Sequence, residues 1–196
     1  MGEAIEMFKA SKEREDYVRV LDFLPYGRID DDRPAYQKKP LIQAIGEKSF
    51  VLMELTPKKG KEAVMHQRLY IGKGERDIVD HVNCRIRYDE LTHAAKAELK
   101  HVLAEIVKEN EERFLDVYNK SYPITTRLHI LDLFPGIGRK FVNMILQERK
   151  KGEFTSFEDL SRRVKGLYHP EKIIANRIEE ELSEKNVKYR LFTTTV

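Results

Sequence analysis

The sequence predicts an α+β chain: a small antiparallel β-barrel, then a helical connector, then a compact helical unit. Three observations predict it. Residues 17–90 hold short β-patterned runs separated by glycine and proline turns. Residues 91–122 carry apolar residues at steps of three and four, the helical period. Residues 123–185 hold short helical patterns interrupted by the stretch 134–140, "FPGIGRK", which packs a proline and two glycines into one bend.

The first strand pattern is "YVRVLDFL", stopped by Pro25 and Gly27. A polar loop, "RIDDDRPAYQKK", follows. Two more strands are expected at 41–45 and 50–55, joined at Gly46, then a basic loop "PKKGKEAV" and a short strand in "QRLYIGKGE". In "HVNCRIRYD", Val82, Cys84, Ile86 and Tyr88 alternate with Asn83, Arg85 and Arg87, which predicts one buried and one solvated face. A small antiparallel barrel or half-barrel is the economical arrangement of five short strands, because closure removes exposed edges. An OB-like barrel over 17–90 is therefore the leading expectation, with an SH3-like barrel as the alternative. Residues 1–16 read as a mobile charged leader.

In the connector, 91–122, Thr92 is placed to cap a helix carrying Ala95, Leu99, Val102, Ile106 and Val107 on one stripe. The stripe falters at "KENEER" and resumes at Phe114, Leu115 and Tyr118, so either one long helix or two helices that meet there are expected. The last part predicts helices at about 125–134, 139–151, 156–164 and 170–184, the fourth with Pro170 in its first turn. The tail, 186–196, turns β-branched and is expected to return to the barrel as an edge strand.

Composition bounds the function. The chain is 41% hydrophobic and 35% charged, and its net charge of +3 is too small to argue for a polyanionic partner alone. The distribution is more informative: 14 Lys/Arg against 10 Asp/Glu over 17–88, 5 against 8 over 89–122, and 14 against 10 over 123–196. Cys84 is the single cysteine, so there is neither an internal disulfide nor a Cys/His zinc pattern. No apolar run is long enough to span a bilayer, and the first residues lack the apolar core of a signal peptide. A cytoplasmic protein with no membrane role and no cofactor is expected.

The chemistry is expected in "FPGIGRK". Pro135 stops the preceding element, and Gly136 and Gly138 permit positive φ. Ile137 packs inward, and Arg139 and Lys140 open the next helix. The first amides of a helix have no partner within it, and its N-terminal dipole is positive. The bend is thus a main-chain anion site rimmed by two cations. Its surroundings, "LHILDLFPGIGRKFVNMILQERKKGEFTSFEDLSRRV", resemble the helix-hairpin-helix motif of nucleic-acid-binding proteins. The resemblance implies a tandem helix-hairpin-helix domain over 123–185 whose hairpin amides hold backbone phosphates without reading bases. The second hairpin would be "VKGLYHP", which keeps Gly166 and lacks the paired glycines, with Arg162, Arg163 and Lys165 adding charge. The whole chain, from about residue 5 to 196, also resembles an archaeal family named for domain of unknown function 655. That resemblance implies an OB-like part joined to this helical unit and a nucleic-acid ligand, RNA or DNA, and supplies no reaction; a non-catalytic binding protein is the expectation.

On the barrel, Lys58, Lys59, Lys61 and Arg68 with Tyr70 suggest a second surface, where loop cations meet phosphates and an aromatic ring stacks on a base. Two other functions fit the same sequence. One is a protein-interaction adaptor in a ribosomal, transcription or repair assembly, the hairpin then being architecture alone. The other is a metal-dependent nuclease using Asp30, Asp31 and Asp32 with Glu47 and Glu54, although adjacent loop carboxylates point different ways. The six histidines show no ligand pairing, and no nucleophile–base pair or phosphate loop is present.

Overall fold

The structure, a computed structural model, describes residues 14–28 and 32–193. It divides into two compact units. Among the described residues, one takes 14–102 and 185–193, the other 103–184.

The first unit is built on a curled five-stranded antiparallel sheet: β1 (Tyr17–Leu24), β2 (Leu41–Gly46), β3 (Leu52–Pro57), β4 (Arg68–Tyr70) and β5 (Val79–Arg85), in the order β4-β1-β2-β3-β5. Its core follows from strand alternation: Val18 and Val20, Ile42 and Ala44, Met53 and Leu55, Leu69 and Val79 share one face. All of β2 is buried, as a central strand should be. Of the barrel or half-barrel expected, the sheet takes the half-barrel form and does not close among the described residues, because β4 and β5 do not pair and remain the two edges. This edge position explains a second difference. Val79 and Ile86 are buried, but the residues between them are exposed, so Val82 and Cys84 do not face a core.

Glu15 closes the turn after β2. Its carboxylate accepts from the amides of Lys48 (2.9 Å) and Ser49 (2.6 Å), and it packs where a Cβ on Gly46 would stand. The end of the charged leader is therefore anchored, and residues 1–13 lie outside the described residues. The 3-residue strand β4 is short, as edge strands tend to be.

Thr92 starts α1 (His93–Glu109): its Oγ1 accepts from the Ala95 amide (3.0 Å) and donates to Asp22 (2.6 Å). The stripe ends because two helices meet. α1 stops at Glu109, Asn110 intervenes, and α2 (Glu111–Lys120) begins.

In the second unit, the helix expected at 125–134 is absent. A small hairpin, β6 (Pro123–Thr125) and β7 (Leu128–His129), leads into a 3₁₀ turn at Ile130–Leu133. The cause is local: Thr125 Oγ1 accepts from the amides of Arg127 (3.3 Å) and Leu128 (3.1 Å), closing a side-chain-capped turn. α3 (Arg139–Lys150), α4 (Phe157–Arg163) and α5 (Pro170–Ser183) follow close to the expected positions. Ser156 caps α4, its Oγ accepting from Asp159 N–H at 3.0 Å. The described part of the tail, 185–193, forms no strand, although Leu191 and Phe192 are buried.

Candidate nucleic-acid interface

The bend at 134–137 is a type II turn. Ile137 N–H donates to Phe134 O (3.0 Å), Pro135 supplies the fixed φ of the second position, and Gly136 takes φ +88° at the third. Gly138 adopts φ −87°, ψ 173° and serves as the N-cap residue of α3, so only Gly136 needs glycine's freedom. What Gly138 contributes is space. A Cβ at either glycine would meet nothing within 4 Å, and both residues are exposed while Ile137 is buried. The first internal helix bond runs from Val142 N–H to Gly138 O (3.1 Å). Among the described residues, the amides of Gly136, Gly138, Arg139, Lys140 and Phe141 meet no acceptor, and no side chain caps the helix. Arg177 braces the bend from behind: its Nη1 donates to Leu133 O (3.1 Å) and its guanidinium pairs with buried Glu181 (3.2 Å).

The second bend has the same backbone path and a different exit. Leu167 N–H donates to Val164 O (3.1 Å) and Gly166 takes φ +92°. The residue after Leu167 is the exposed Tyr168, and His169 precedes α5 at φ +53°. Pro170 has no N–H, Lys172 N–H returns to His169 O (2.9 Å), and Glu171 places a carboxylate in the first turn. Gly166 is exposed like Gly136, and a Cβ there would lie in ordinary contact with the Phe141 ring at 3.6 Å, where one at Gly136 would meet nothing within 4 Å.

The neighbouring cations also divide. Arg162 is 77% exposed and pairs only with Asp159 (2.6 Å) among the described residues; Lys165 is exposed. Arg163 is 18% exposed. It donates to the main-chain carbonyls of Glu148, Gly152 (2.8 Å) and Glu153 (3.2 Å), pairs with Asp159 (3.2 Å), and lies 4.5 Å from the Phe154 ring centroid. It holds the end of α3 and is not an open contact.

The surface expected on the barrel is largely closed by internal bonds. Lys58 Nζ donates to Arg76 O, and Lys61 pairs with Asp77 (2.9 Å). Arg68 pairs with Glu47 (2.9 Å) and stacks on Tyr17, 3.6 Å from its centroid. The Tyr70 ring leans on Tyr17 (5.3 Å), and its hydroxyl accepts from Gly74 N–H (3.2 Å). Lys59 stays exposed at the loop tip. Apart from Tyr70 with Gly74, these partners are 16 or more residues apart, so the fold, which sequence does not display, brought them together. Glu47 feels burial, which raises its pKa, but the hydrogen bonds and charges of Arg68 and Arg19 outweigh it and hold the carboxyl below the ordinary glutamate value.

The sequence reading missed the cleft beside the open bend. It lies between β6–β7 and the first turns of α3, has a volume of about 160 Å³, and is lined among others by Arg127, His129, Asp132, Arg139 and Asn143. Its signal was the β-branched run "PITT" after a proline, which favours extended backbone over helix. Burial, then the Arg149 charge, pushes the His129 ring below the ordinary histidine pKa, against the pull of Asp132. No group of three or more His, Cys, Asp or Glu able to hold a metal exists among the described residues, which exclude Asp30 and Asp31. No described helix is long and apolar enough to cross a membrane.

The model of a family described as "Protein of unknown function (DUF655)" matches residues 14–194. The chain belongs to this family. The uncharacterized protein MJ0038 of Methanocaldococcus jannaschii is 46% identical over 179 residues, covering 91% of this chain and 79% of its own length. The crystal structure of Af1531 from Archaeoglobus fulgidus, assigned to DUF655, is 49% identical with a TM-score of 0.87, covering 92% of this chain and 100% of that one. The mixed α+β architecture is thus shared with a solved DUF655 protein.

Proposed function

We propose that this DUF655 protein binds nucleic acid, RNA or DNA, through the sugar-phosphate backbone and without catalysis. The observation that carries the reading is the bend at 134–141, where exposed amides meet no acceptor among the described residues. Gly136, Gly138 and the first residues of α3 present main-chain donors to phosphate oxygens. Ile137 anchors the bend, and Arg139 and Lys140 add charge, with Arg162 and Lys165 as outlying cations. A helix-hairpin-helix reading of the bend, tandem with the second, and an OB-like reading of the curled sheet belong to this proposal. The sheet's own share is electrostatic, from residues such as Lys59 and Arg85.

Gly138→Val tests it. The variant fits, because φ −87° suits any residue and nothing stands within 4 Å of its Cβ, yet its side chain covers the amides. Filter binding of mixed duplex and single strands should weaken by about tenfold or more for all sequences alike, because phosphate contacts carry no sequence information. Unchanged retention of both probes by a folded Gly138→Val protein would refute the reading.

A further inference from the structure

We propose that the cleft between β6–β7 and α3 is a second phosphate site, holding the internal phosphodiester next to the one on the 134–141 bend; it rests on the nucleic-acid reading above. The cleft shares Arg139 with the bend, so one guanidinium stands between both positions. Arg127, at the tip of the small hairpin, is the second cation of the lining, and neither arginine is paired with a carboxylate among the described residues.

His129 supplies the observation that points to a ligand. It is only 8% exposed and lines the cleft. Its Nδ1 accepts from Leu131 N–H at 3.1 Å, which fixes the tautomer. A neutral imidazole with one accepting nitrogen donates from the other. The ring's Nε2–H therefore remains as a donor, and it meets no acceptor among the described residues. The ring is largely buried but solvent reaches this nitrogen, and a phosphate oxygen in the cleft would take the place of that solvent. Thr125 and Asn143 add a hydroxyl and an amide to the same lining. Asp132 is the opposing charge, and its Oδ2 already accepts from the His129 amide at 2.8 Å. Two guanidiniums and an imidazole N–H open to the cleft, against one engaged carboxylate, favour an anion. A cleft of about 160 Å³ suits one phosphate with part of its sugar and is small for a folded peptide.

The test uses the full chain with ¹⁵N-labelled histidine. Titration with inorganic phosphate should shift the His129 Nε2 resonance in the parent and much less in Arg127→Ala. With a short mixed-sequence duplex, Arg127→Ala should lower the salt slope by about one unit. His129→Asn should weaken binding by about tenfold while leaving that slope unchanged. Asparagine keeps an acceptor for Leu131 N–H at a position where it caps well, and a thermal melt verifies folding. Duplexes with 5′-phosphate and 5′-hydroxyl ends should bind equally; a preference for the phosphorylated end would overturn assignment to an internal phosphodiester. If Gly138→Val loses the duplex while both cleft variants bind like the parent and phosphate leaves His129 unmoved, the cleft proposal falls and the bend reading stands. If the parent retains no duplex, the nucleic-acid reading fails and the phosphodiester assignment with it, even where inorganic phosphate still moves His129.

Discussion

Replacing Arg163 with alanine should destabilise the protein, while the same change at Arg162 should not. Arg163 joins three main-chain carbonyls beyond the end of α3, of Glu148, Gly152 and Glu153, and stacks on Phe154. The bond to Glu148 O is partly buried; a hydrogen bond to a charged donor there contributes about 1.5–3 kcal/mol. The two more exposed bonds add a few tenths each, since water replaces the lost donor, and the ring contact adds about 0.5 kcal/mol. Freed side-chain entropy offsets part of this. A net loss of about 2 kcal/mol follows. With a urea slope of about 2 kcal/mol per M, the unfolding midpoint should fall by about 1 M. Arg162, itself exposed and with Asp159 as its single partner among the described residues, should change stability by no more than about 0.5 kcal/mol. In nucleic-acid binding the order reverses. Arg162→Ala should reduce the salt slope by up to about one unit, whereas Arg163→Ala, measured where it remains folded, should leave it near the parent value. Equal midpoints for the two variants would refute the division of labour between these neighbours.

Glu47 ties acid sensitivity to the sheet. Its depressed folded pKa means its contribution is present above the ordinary glutamate range and lost as pH falls through the folded value, so Glu47→Gln should flatten the acid side of a stability–pH profile. Gly136→Ala should cost about 1 kcal/mol in a thermal melt because φ +88° is strained for a Cβ, while Gly138→Ala at φ −87° carries no such strain and should cost only the difference between glycine and alanine as a helix N-cap, about 0.5 kcal/mol. Tyr118 is fully buried and its hydroxyl donates to Pro170 O at 3.0 Å, so Tyr118→Phe should lose about 1 kcal/mol in chemical denaturation while its edge-on packing against Phe157 survives.

Much of the fold was legible because it rests on local rules. Apolar runs punctuated by proline and glycine marked β1 to β3, Thr92 and Ser156 announced their helices, and Pro170 marked the start of α5. The bend at 134–140 was legible because proline followed by glycine has few other uses. The failures share a cause as well. At 128–131, leucines three apart suggested a helix, but Thr125 had already closed a hairpin through its own hydroxyl. The fate of each cation depended on partners brought from elsewhere in the chain: Glu47 for Arg68, Asp77 for Lys61, the carbonyls after α3 for Arg163. Charge composition reports that cations exist and is blind to which of them have internal partners. Likewise, Val82 and Cys84 alternate as a core face should, yet β5 lies at the sheet's margin, where alternation has nothing to cover.

The bends at Phe134–Ile137 and Val164–Leu167 are two casts of one shape, and they part company at a single following residue, Gly138 in one and Tyr168 in the other. A chain that owns a spare copy of a joint can assign the copies different work. One stays as carpentry, filled by an aromatic neighbour, while the other is stripped to bare main chain. Specialisation of this kind needs no new architecture, only the erasure of a side chain and a different opening to the helix beyond.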